Sequence, residues 1–191
     1  MRLLFFIYSL SSGGAERVTA SLANHWAKKG WQVTILTIAA GADFYELHPA
    51  VHRVSLDMAS RGGNSLMGLW NNLRRISMLR RVLKQVRPNV ALSVMDTANV
   101  LLAFATLGMS NISSIGSERT YLERLPECSL WGRLRRWSYS RLTAIVALTH
   151  DTKAWLQSNT GARQLTVIPN AIEWPLSLKF KKGCCTSACS V

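Results

Sequence analysis

The sequence has 191 residues, of which 48% are hydrophobic and 17% are charged, and its formal net charge is +13. The hydrophobic content excludes a chain that is disordered throughout, and the length suits one domain with or without a tail. The positive charge favours an anionic partner such as a phosphorylated ligand, acidic lipid or nucleic acid.

The start of the chain has two interpretations. Arg2 followed by the apolar run LLFFIYSL is similar to a short signal peptide, and the same residues would also form a buried first strand. No uninterrupted apolar stretch approaches the ~20 residues of a membrane-spanning helix. The four cysteines include no CxxC pair and no ligand-spaced set with histidine, so we expect no metal site and a reducing compartment.

Strand patterns alternate with helical patterns along the first part of the chain. RLLFFIYSL predicts a strand that is apolar on both faces. Residues 15–29 predict a helix, because Val18, Leu22 and Trp26 recur every four residues and Gly30 follows as a terminator. WQVTILTI predicts a second strand, and the alternation in VHRVSL predicts a third.

A long helix is predicted over residues 66–86, and Pro88 ends it. Its apolar stripe consists of Leu69, Leu73, Ile76, Leu79, Leu83 and Val86. The rest of the chain continues the alternation, with strands at NVALSV, ISSIGS, TAIVAL and QLTVIP and helices over residues 97–107, 129–140 and 151–158.

Seven strands alternating with helices predict an α/β fold, a Rossmann-like parallel sheet with helices on both faces. In such a sheet, ligands bind beyond the carboxyl ends of the strands. The positions there are residues 11–14, 95–97, 117–120 and 149–151, and Asn170. We expect this domain to span residues 1–174, and residues 175–191, which have no periodicity, to form a disordered or aberrant tail.

Gly13 and Gly14 lie between the first strand and the first helix, in SLSSGGAERV. A helix N-terminus offers unpaired amides and a partial positive charge, and adjacent glycines remove the side chains that would keep an anion away. A tight turn alone is the alternative, because neither the dinucleotide pattern nor the P-loop lysine pattern is present.

Two motifs carry a resemblance to a known family. SLSSGGAERVTASLANHWAKKGWQVTILT resembles the opening of family 4 glycosyltransferases, two-domain GT-B enzymes, and LTVIPNAIE resembles the end of their first domain. IVALTHDTKAWLQ and SERTY are also similar to family segments, so the resemblance covers residues 1–174. It implies the amino-terminal, acceptor-side half of a GT-B fold, truncated before the donor-binding domain. Many relatives have a histidine after the fourth strand, where this chain has Met95 and Asp96.

The resemblance implies retaining transfer of a hexosyl or N-acetylhexosaminyl group from a nucleotide diphosphate sugar, without a cofactor or metal. The implied acceptor is a lipid-linked saccharide in bacterial lipopolysaccharide or exopolysaccharide biosynthesis, at the inner face of the cytoplasmic membrane. Because the donor half is absent, turnover by residues 1–191 alone is not expected. The alternative is a non-catalytic remnant or binding domain that keeps the fold.

Polar residues at the strand ends are the candidates for the site. Asp96 would orient an acceptor hydroxyl or take up its proton, with helix capping as the alternative. Arg119 would bind a phosphate and Glu118 the substrate, unless the two form a local ion pair. His150 and Asn170 are further substrate-binding candidates, with a helix start and a hinge turn as their alternatives.

Basic residues cluster on two predicted helices. The helix over residues 66–86 has no acidic residue, and the helix within SLWGRLRRWSYSR has tryptophans on one side and arginines on the other. Such helices suit an anionic membrane surface, with packing onto the sheet as the alternative. The predicted membrane residues are Arg74, Arg75, Arg81, Trp131, Arg133, Arg136 and Trp137. Nucleic acid is not expected as a partner, because no nucleic-acid-binding motif accompanies the charge.

Overall fold

The computed structural model describes residues 1–58, 65–120 and 129–170. In these ranges the elements are β1 (Arg2–Ile7), α1 (Gly14–Lys28), β2 (Gln32–Thr37), β3 (Val51–Ser55), α2 (Ser65–Val86), β4 (Val90–Val94), α3 (Asp96–Ala105), β5 (Ser113–Ser117), α4 (Ser129–Tyr139), β6 (Ala144–Ala147), α5 (His150–Asn159) and β7 (Leu165–Val167). The predicted order of strands and helices is therefore confirmed. The predicted tail and all four cysteines lie outside the described residues.

All seven strands form one parallel sheet with the order β3-β2-β1-β4-β5-β6-β7. Phe5 of β1 lies between Ile35 of β2 and Leu92 of β4. The chain winds outward in one direction from β1 and in the other direction from β4. This pair is the topological switch point, beside which ligands bind in open α/β sheets.

Apolar side chains of β1 point alternately to two cores. Leu4 and Phe6 pack on the face that is covered by α2, α3, α4 and α5, and Phe5 packs on the opposite face with α1. Because residues 3–7 are all buried, β1 is a central strand, which confirms the strand interpretation of RLLFFI. Helices on both faces of a parallel sheet confirm the predicted Rossmann-like fold.

The apolar stripe predicted for α2 is buried over only part of its length. Leu79 and Leu83 are completely buried, whereas Leu69 and Leu73 are exposed. The reason is length: the 22 residues of α2 span about 33 Å, whereas the five residues of β4 span only about 17 Å. Since α2 runs back from the carboxyl edge of the sheet to its amino edge, its first turns extend past the carboxyl edge and have no sheet beneath them.

None of the helices in the described ranges is both long enough and apolar enough to cross a lipid bilayer.

Candidate functional site

The glycine loop between β1 and α1 is open at one glycine and covered at the other. A Cβ on Gly14 would meet no atom within 4 Å, whereas a Cβ on Gly13 would lie 2.1 Å from Oε2 of Glu16. Tyr45 also donates a hydrogen bond to the Gly13 carbonyl, at 2.9 Å. The expectation that both glycines receive an anion therefore needs correction, because the Glu16 carboxylate already occupies the space beside Gly13.

Asp96 begins α3 directly after β4 and forms an ion pair with Arg135 of α4. Arg135 Nε donates to Asp96 Oδ1 at 3.0 Å, and the side chains are 3% and 17% exposed for Arg135 and Asp96 respectively. The guanidinium also lies over the Trp155 ring, 5.8 Å from its centroid. Met95 occupies the N-cap position, so Asp96 is not the helix cap. Its carboxylate remains partly accessible at the carboxyl edge, where a ligand hydroxyl could reach it.

Glu118, which follows β5, has no exposed surface. The phenol O–H of Tyr139 donates a hydrogen bond to Glu118 Oε2 at 2.6 Å. The backbone N–H groups of Arg119 and Thr120 donate to Oε1 at 3.1 and 3.2 Å. Burial is the main cause that raises the pKa of Glu118 from 4.5 to about 7. The predicted substrate contact for Glu118 therefore needs correction, because its carboxyl is buried and its two oxygens are bound by Tyr139 and by the backbone N–H groups of Arg119 and Thr120.

Tyr139 is the centre of a larger buried network. Its hydroxyl lies 3.3 Å from Asp96 Oδ1 and receives a hydrogen bond from Asn99 Nδ2 at 3.2 Å. Ser93 Oγ in turn donates to Asn99 Oδ1 at 2.7 Å. We call Ser93, Asp96, Asn99, Glu118, Arg135 and Tyr139 the buried network. It joins the carboxyl ends of β4 and β5 to α3 and α4.

Sequence reasoning did not identify the members of the buried network on α4. Two signals were present in the sequence. Asn99 interrupts the otherwise apolar helix α3, and Arg135 and Tyr139 are four residues apart, which places them on one side of α4. A buried amide and a buried guanidinium both require hydrogen-bond partners. Tyr139 of α4 is a partner of Asn99 of α3, and Asp96 of α3 is a partner of Arg135 of α4.

Arg119 and Asn170 lie together, as their positions after β5 and β7 predict. Arg119 Nε donates to Ser117 Oγ at 3.1 Å, and its Nη1 donates to Asn170 Oδ1. The side chain is half-buried, and burial lowers the pKa of the guanidinium below its ordinary value. No carboxylate in the described ranges lies within ion-pair distance of it. The alternative of an ion pair with Glu118 is thus not observed, and the guanidinium is suited to an anionic ligand.

His150 begins α5 after β6 and is exposed at the same edge of the sheet. Thr149 caps this helix, since its Oγ1 accepts from Thr152 N at 3.1 Å. No contact joins His150 to the buried network or to Arg119 among the residues that the structure describes, so its substrate role stays a prediction. The same residues contain no cluster of three His, Cys, Asp or Glu side chains that could hold a metal ion.

Met95 has a strained backbone at the end of β4. Its φ of 78° and ψ of 156° lie in a region that favours glycine. Its N–H donates to the Ser117 carbonyl at 2.9 Å, which ties the turn to β5. Strain of this kind occurs most often at functional sites, and here it lies at the switch point of the sheet.

We expect the Met95→Gly variant to be more stable than Met95→Ala by about 1 kcal/mol, because glycine relieves the strain and alanine keeps it. Urea unfolding of the two variants measures the difference. At an ordinary helix position the order is reversed, so Arg133→Gly should be less stable than Arg133→Ala by about 1 kcal/mol. A more stable Met95→Ala would show that this backbone carries no strain.

The predicted membrane residues occupy different environments. Arg74, Arg81, Arg133, Arg136 and Trp137 are exposed, whereas the side chain of Trp131 lies outside the described part of the chain. Arg75 is buried, and its Nε and Nη2 donate to the Met58 carbonyl at 3.2 and 2.8 Å. Its predicted surface position is therefore wrong. Trp137 stacks on Phe104 with 4.8 Å between ring centroids, so α4 also packs onto α3.

The sequence model of the family described as Glycosyltransferase Family 4 matches residues 12–173. The chain belongs to glycosyltransferase family 4. The match begins in the glycine loop, after β1, and ends just beyond Asn170. It therefore includes Gly13, Gly14, Asp96, Glu118, Arg119, His150 and Asn170.

A curated relative of this family 4 chain is an α-1,4-N-acetyl-D-galactosaminyltransferase from Campylobacter jejuni, 31% identical over 159 residues. The match covers 82% of this chain and 43% of the relative, so this chain spans under half of the relative's length. The relative's name gives its acceptor as GalNAc-alpha-(1->4)-GalNAc-alpha-(1->3)-diNAcBac-PP-undecaprenol.

Solved structures support the same fold. A sucrose-phosphate synthase from Thermosynechococcus elongatus has a TM-score of 0.69 at 11% identity, over 88% of this chain and 48% of that one. A glycosyltransferase from Rickettsia africae has a TM-score of 0.64 at 15% identity, and the match covers 90% of this chain and 43% of that one. Because these identities are low, the two structures show the fold alone. They confirm that this family 4 chain has the fold of one half of a GT-B glycosyltransferase.

Proposed function

We propose that this family 4 chain is the acceptor-side domain of a retaining glycosyltransferase that transfers a sugar from a nucleotide diphosphate sugar to a lipid-linked saccharide. The setting would be bacterial surface polysaccharide biosynthesis, such as that of lipopolysaccharide or exopolysaccharide, at the inner face of the cytoplasmic membrane. Family membership supports the reaction class, and the acceptor named for the Campylobacter jejuni relative supports a polyprenyl diphosphate saccharide.

The observation that carries the proposal is an exposed surface of α2 that runs from its first turn to Arg81, which we call the membrane face. It consists of Met67, Leu69, Trp70, Leu73, Arg74 and Arg81. Its four apolar side chains are 51–66% exposed, and no acidic residue occurs in α2. Large exposed apolar side chains beside arginines suit the interface of an anionic bilayer. The apolar part lies at the carboxyl edge, the end of the domain that also holds Asp96 and Arg119, so a lipid-linked acceptor would meet both.

In this arrangement the chain's own residues bind and orient the acceptor. Asp96 accepts a hydrogen bond from a saccharide hydroxyl, with its carboxylate held by Arg135. Arg119, held by Ser117 and Asn170, donates to a phosphate oxygen of the lipid diphosphate. Gly14 leaves the backbone N–H groups at the start of α1 accessible to the sugar or its phosphate.

Vesicle co-sedimentation of the purified chain tests the membrane face. We expect binding to vesicles that contain phosphatidylglycerol, weakening with salt, and little binding to pure phosphatidylcholine. The double variant Arg74→Glu/Arg81→Glu should bind at least ~30-fold more weakly, since each basic residue near an anionic surface contributes about 1 kcal/mol. Trp70→Ser/Leu73→Ser should also weaken binding, because it removes apolar side chains that insert.

The matched control is Lys28→Glu/Lys29→Glu, which changes the net charge by the same amount at the opposite end of the domain. It should reduce binding much less. Equal loss in the two charge-reversed variants would refute a defined membrane face. Adding a polyprenyl-diphosphate saccharide to the vesicles should tighten binding of the wild-type chain, and Arg119→Ala should lose that gain. A gain that persists in Arg119→Ala would remove the diphosphate role of this residue.

A further inference from the structure

We propose that Tyr139 is a positioning residue that links the buried carboxyl of Glu118 to the carboxylate of Asp96, so that the protonation state of Glu118 sets the hydrogen bonding of Asp96. The link itself is a property of the buried network. Its consequence for an acceptor rests on the proposed function of Asp96.

The phenol of Tyr139 has one hydrogen and two carboxylate oxygens within reach. Glu118 Oε2 lies 2.6 Å away and Asp96 Oδ1 lies 3.3 Å away. The third contact, Asn99 Nδ2, is a donor, and Ser93 holds the other end of that amide. The phenol hydrogen therefore points to one of the two carboxylates and cannot serve both at full strength.

Protonation of Glu118 reverses the direction of this hydrogen bond. Oε1 already accepts the N–H groups of Arg119 and Thr120, so the proton of the neutral acid lies on Oε2, which faces Tyr139. Glu118 takes this proton from solvent and then donates to the phenol oxygen. The phenol hydrogen turns to Asp96 Oδ1. When Glu118 loses its proton, the phenol hydrogen returns to Oε2 and Asp96 loses this donor.

The charged groups around Glu118 allow both states near neutral pH. Burial and the negative charge of Asp96 on α3 raise the pKa of Glu118, and the hydrogen bond from Tyr139, the N–H of Thr120 and the charge of Arg135 on α4 lower it, with a result of about 7. Arg119 faces it through its backbone N–H. Small changes of pH around neutrality thus change how many donors Asp96 Oδ1 accepts.

The expected consequence concerns the acceptor. At low pH, Asp96 Oδ1 accepts from both Arg135 Nε and Tyr139 and has less capacity for a ligand hydroxyl. At higher pH it accepts from one donor fewer, so a saccharide hydroxyl would bind more strongly. Acceptor binding through Asp96 should therefore rise as the pH passes through about 7.

Carbon-13 NMR of the full 191-residue chain tests the link without any acceptor. The four aspartates are labelled at the side-chain carboxyl carbon, and the Asp96 signal is the one missing from Asp96→Asn. In the wild-type chain we expect a step in the Asp96 chemical shift near pH 7. The step should disappear in Glu118→Gln and in Tyr139→Phe, and it should persist in Tyr45→Phe, whose hydroxyl binds elsewhere.

Absence of a step near neutral pH in the wild-type chain would overturn the proposal whether or not the variants fold. A step that survives in folded Tyr139→Phe would also overturn it, because the coupling would then not pass through the phenol. The acceptor consequence is measured separately, as the pH dependence of binding to vesicles that carry the polyprenyl-diphosphate saccharide. A step in the NMR signal with pH-independent acceptor binding would refute the role of Asp96 in the proposed function and leave the link standing.

Discussion

Replacement of Arg135 by alanine is expected to lower the free energy of unfolding by about 3–5 kcal/mol. The Arg135 side chain is only 3% exposed, and it holds the Asp96 carboxylate at 3.0 Å. Without the guanidinium, the partly buried Asp96 carboxylate loses this ion pair, and the contact with the Trp155 ring is lost as well. Urea unfolding followed by circular dichroism at pH 7 measures the change.

The matched control for this prediction is Arg133→Ala on the same helix. Arg133 is exposed, and its replacement should change the stability by no more than about 0.5 kcal/mol, as at other surface positions. An average substitution lowers the free energy of unfolding by about 1 kcal/mol. If Arg135→Ala lowers it by no more than that, the ion pair does not stabilise the packing of α3 against α4 as its burial indicates.

The fold was predictable because hydrophobic periodicity is a local property of the sequence. An apolar run such as RLLFFI and a four-residue spacing such as that of Val18 and Leu22 are each visible within a few residues. The exposure of Leu69 and Leu73 was not predictable in the same way. Their spacing repeats that of Leu79 and Leu83, and only the length of the neighbouring strands determines which turns of α2 have a sheet beneath them.

The site was predictable in position and not in detail. The rule for parallel sheets identifies strand ends, and it correctly brings Arg119 and Asn170 together. The rule treats Glu118 like its neighbours, although Tyr139, 21 residues away on α4, covers its carboxyl. Asp96 likewise meets a partner 39 residues away. Such pairings depend on how α4 packs. The spacing of Arg135 and Tyr139 indicates that they share one side of α4, but it does not indicate which strand ends they meet. The φ of Met95 has no sequence signal either.

The second large effect is a loss of stability with rising pH that is due to Glu118. In the unfolded chain this carboxyl ionises near its ordinary pKa of 4.5, whereas burial raises the pKa in the folded chain to about 7. Between these values the folded state retains a proton that the unfolded state has lost. The stabilisation is therefore complete below pH 4.5 and is lost as the pH rises through 7. It amounts to about 3 kcal/mol, measured by urea unfolding at intervals from pH 4.5 to pH 8.

Glu118→Gln isolates this contribution from that of every other titrating group. Glutamine has the same shape, its Oε1 can accept the two backbone N–H groups, and its Nε2 can donate to Tyr139, whose hydrogen then points to Asp96. The variant thus resembles the protonated state at every pH. It should match the wild-type chain near pH 4.5 and exceed its stability at pH 8 by about 3 kcal/mol. Parallel losses of stability in the wild-type and Glu118→Gln chains would assign the responsible proton to another group.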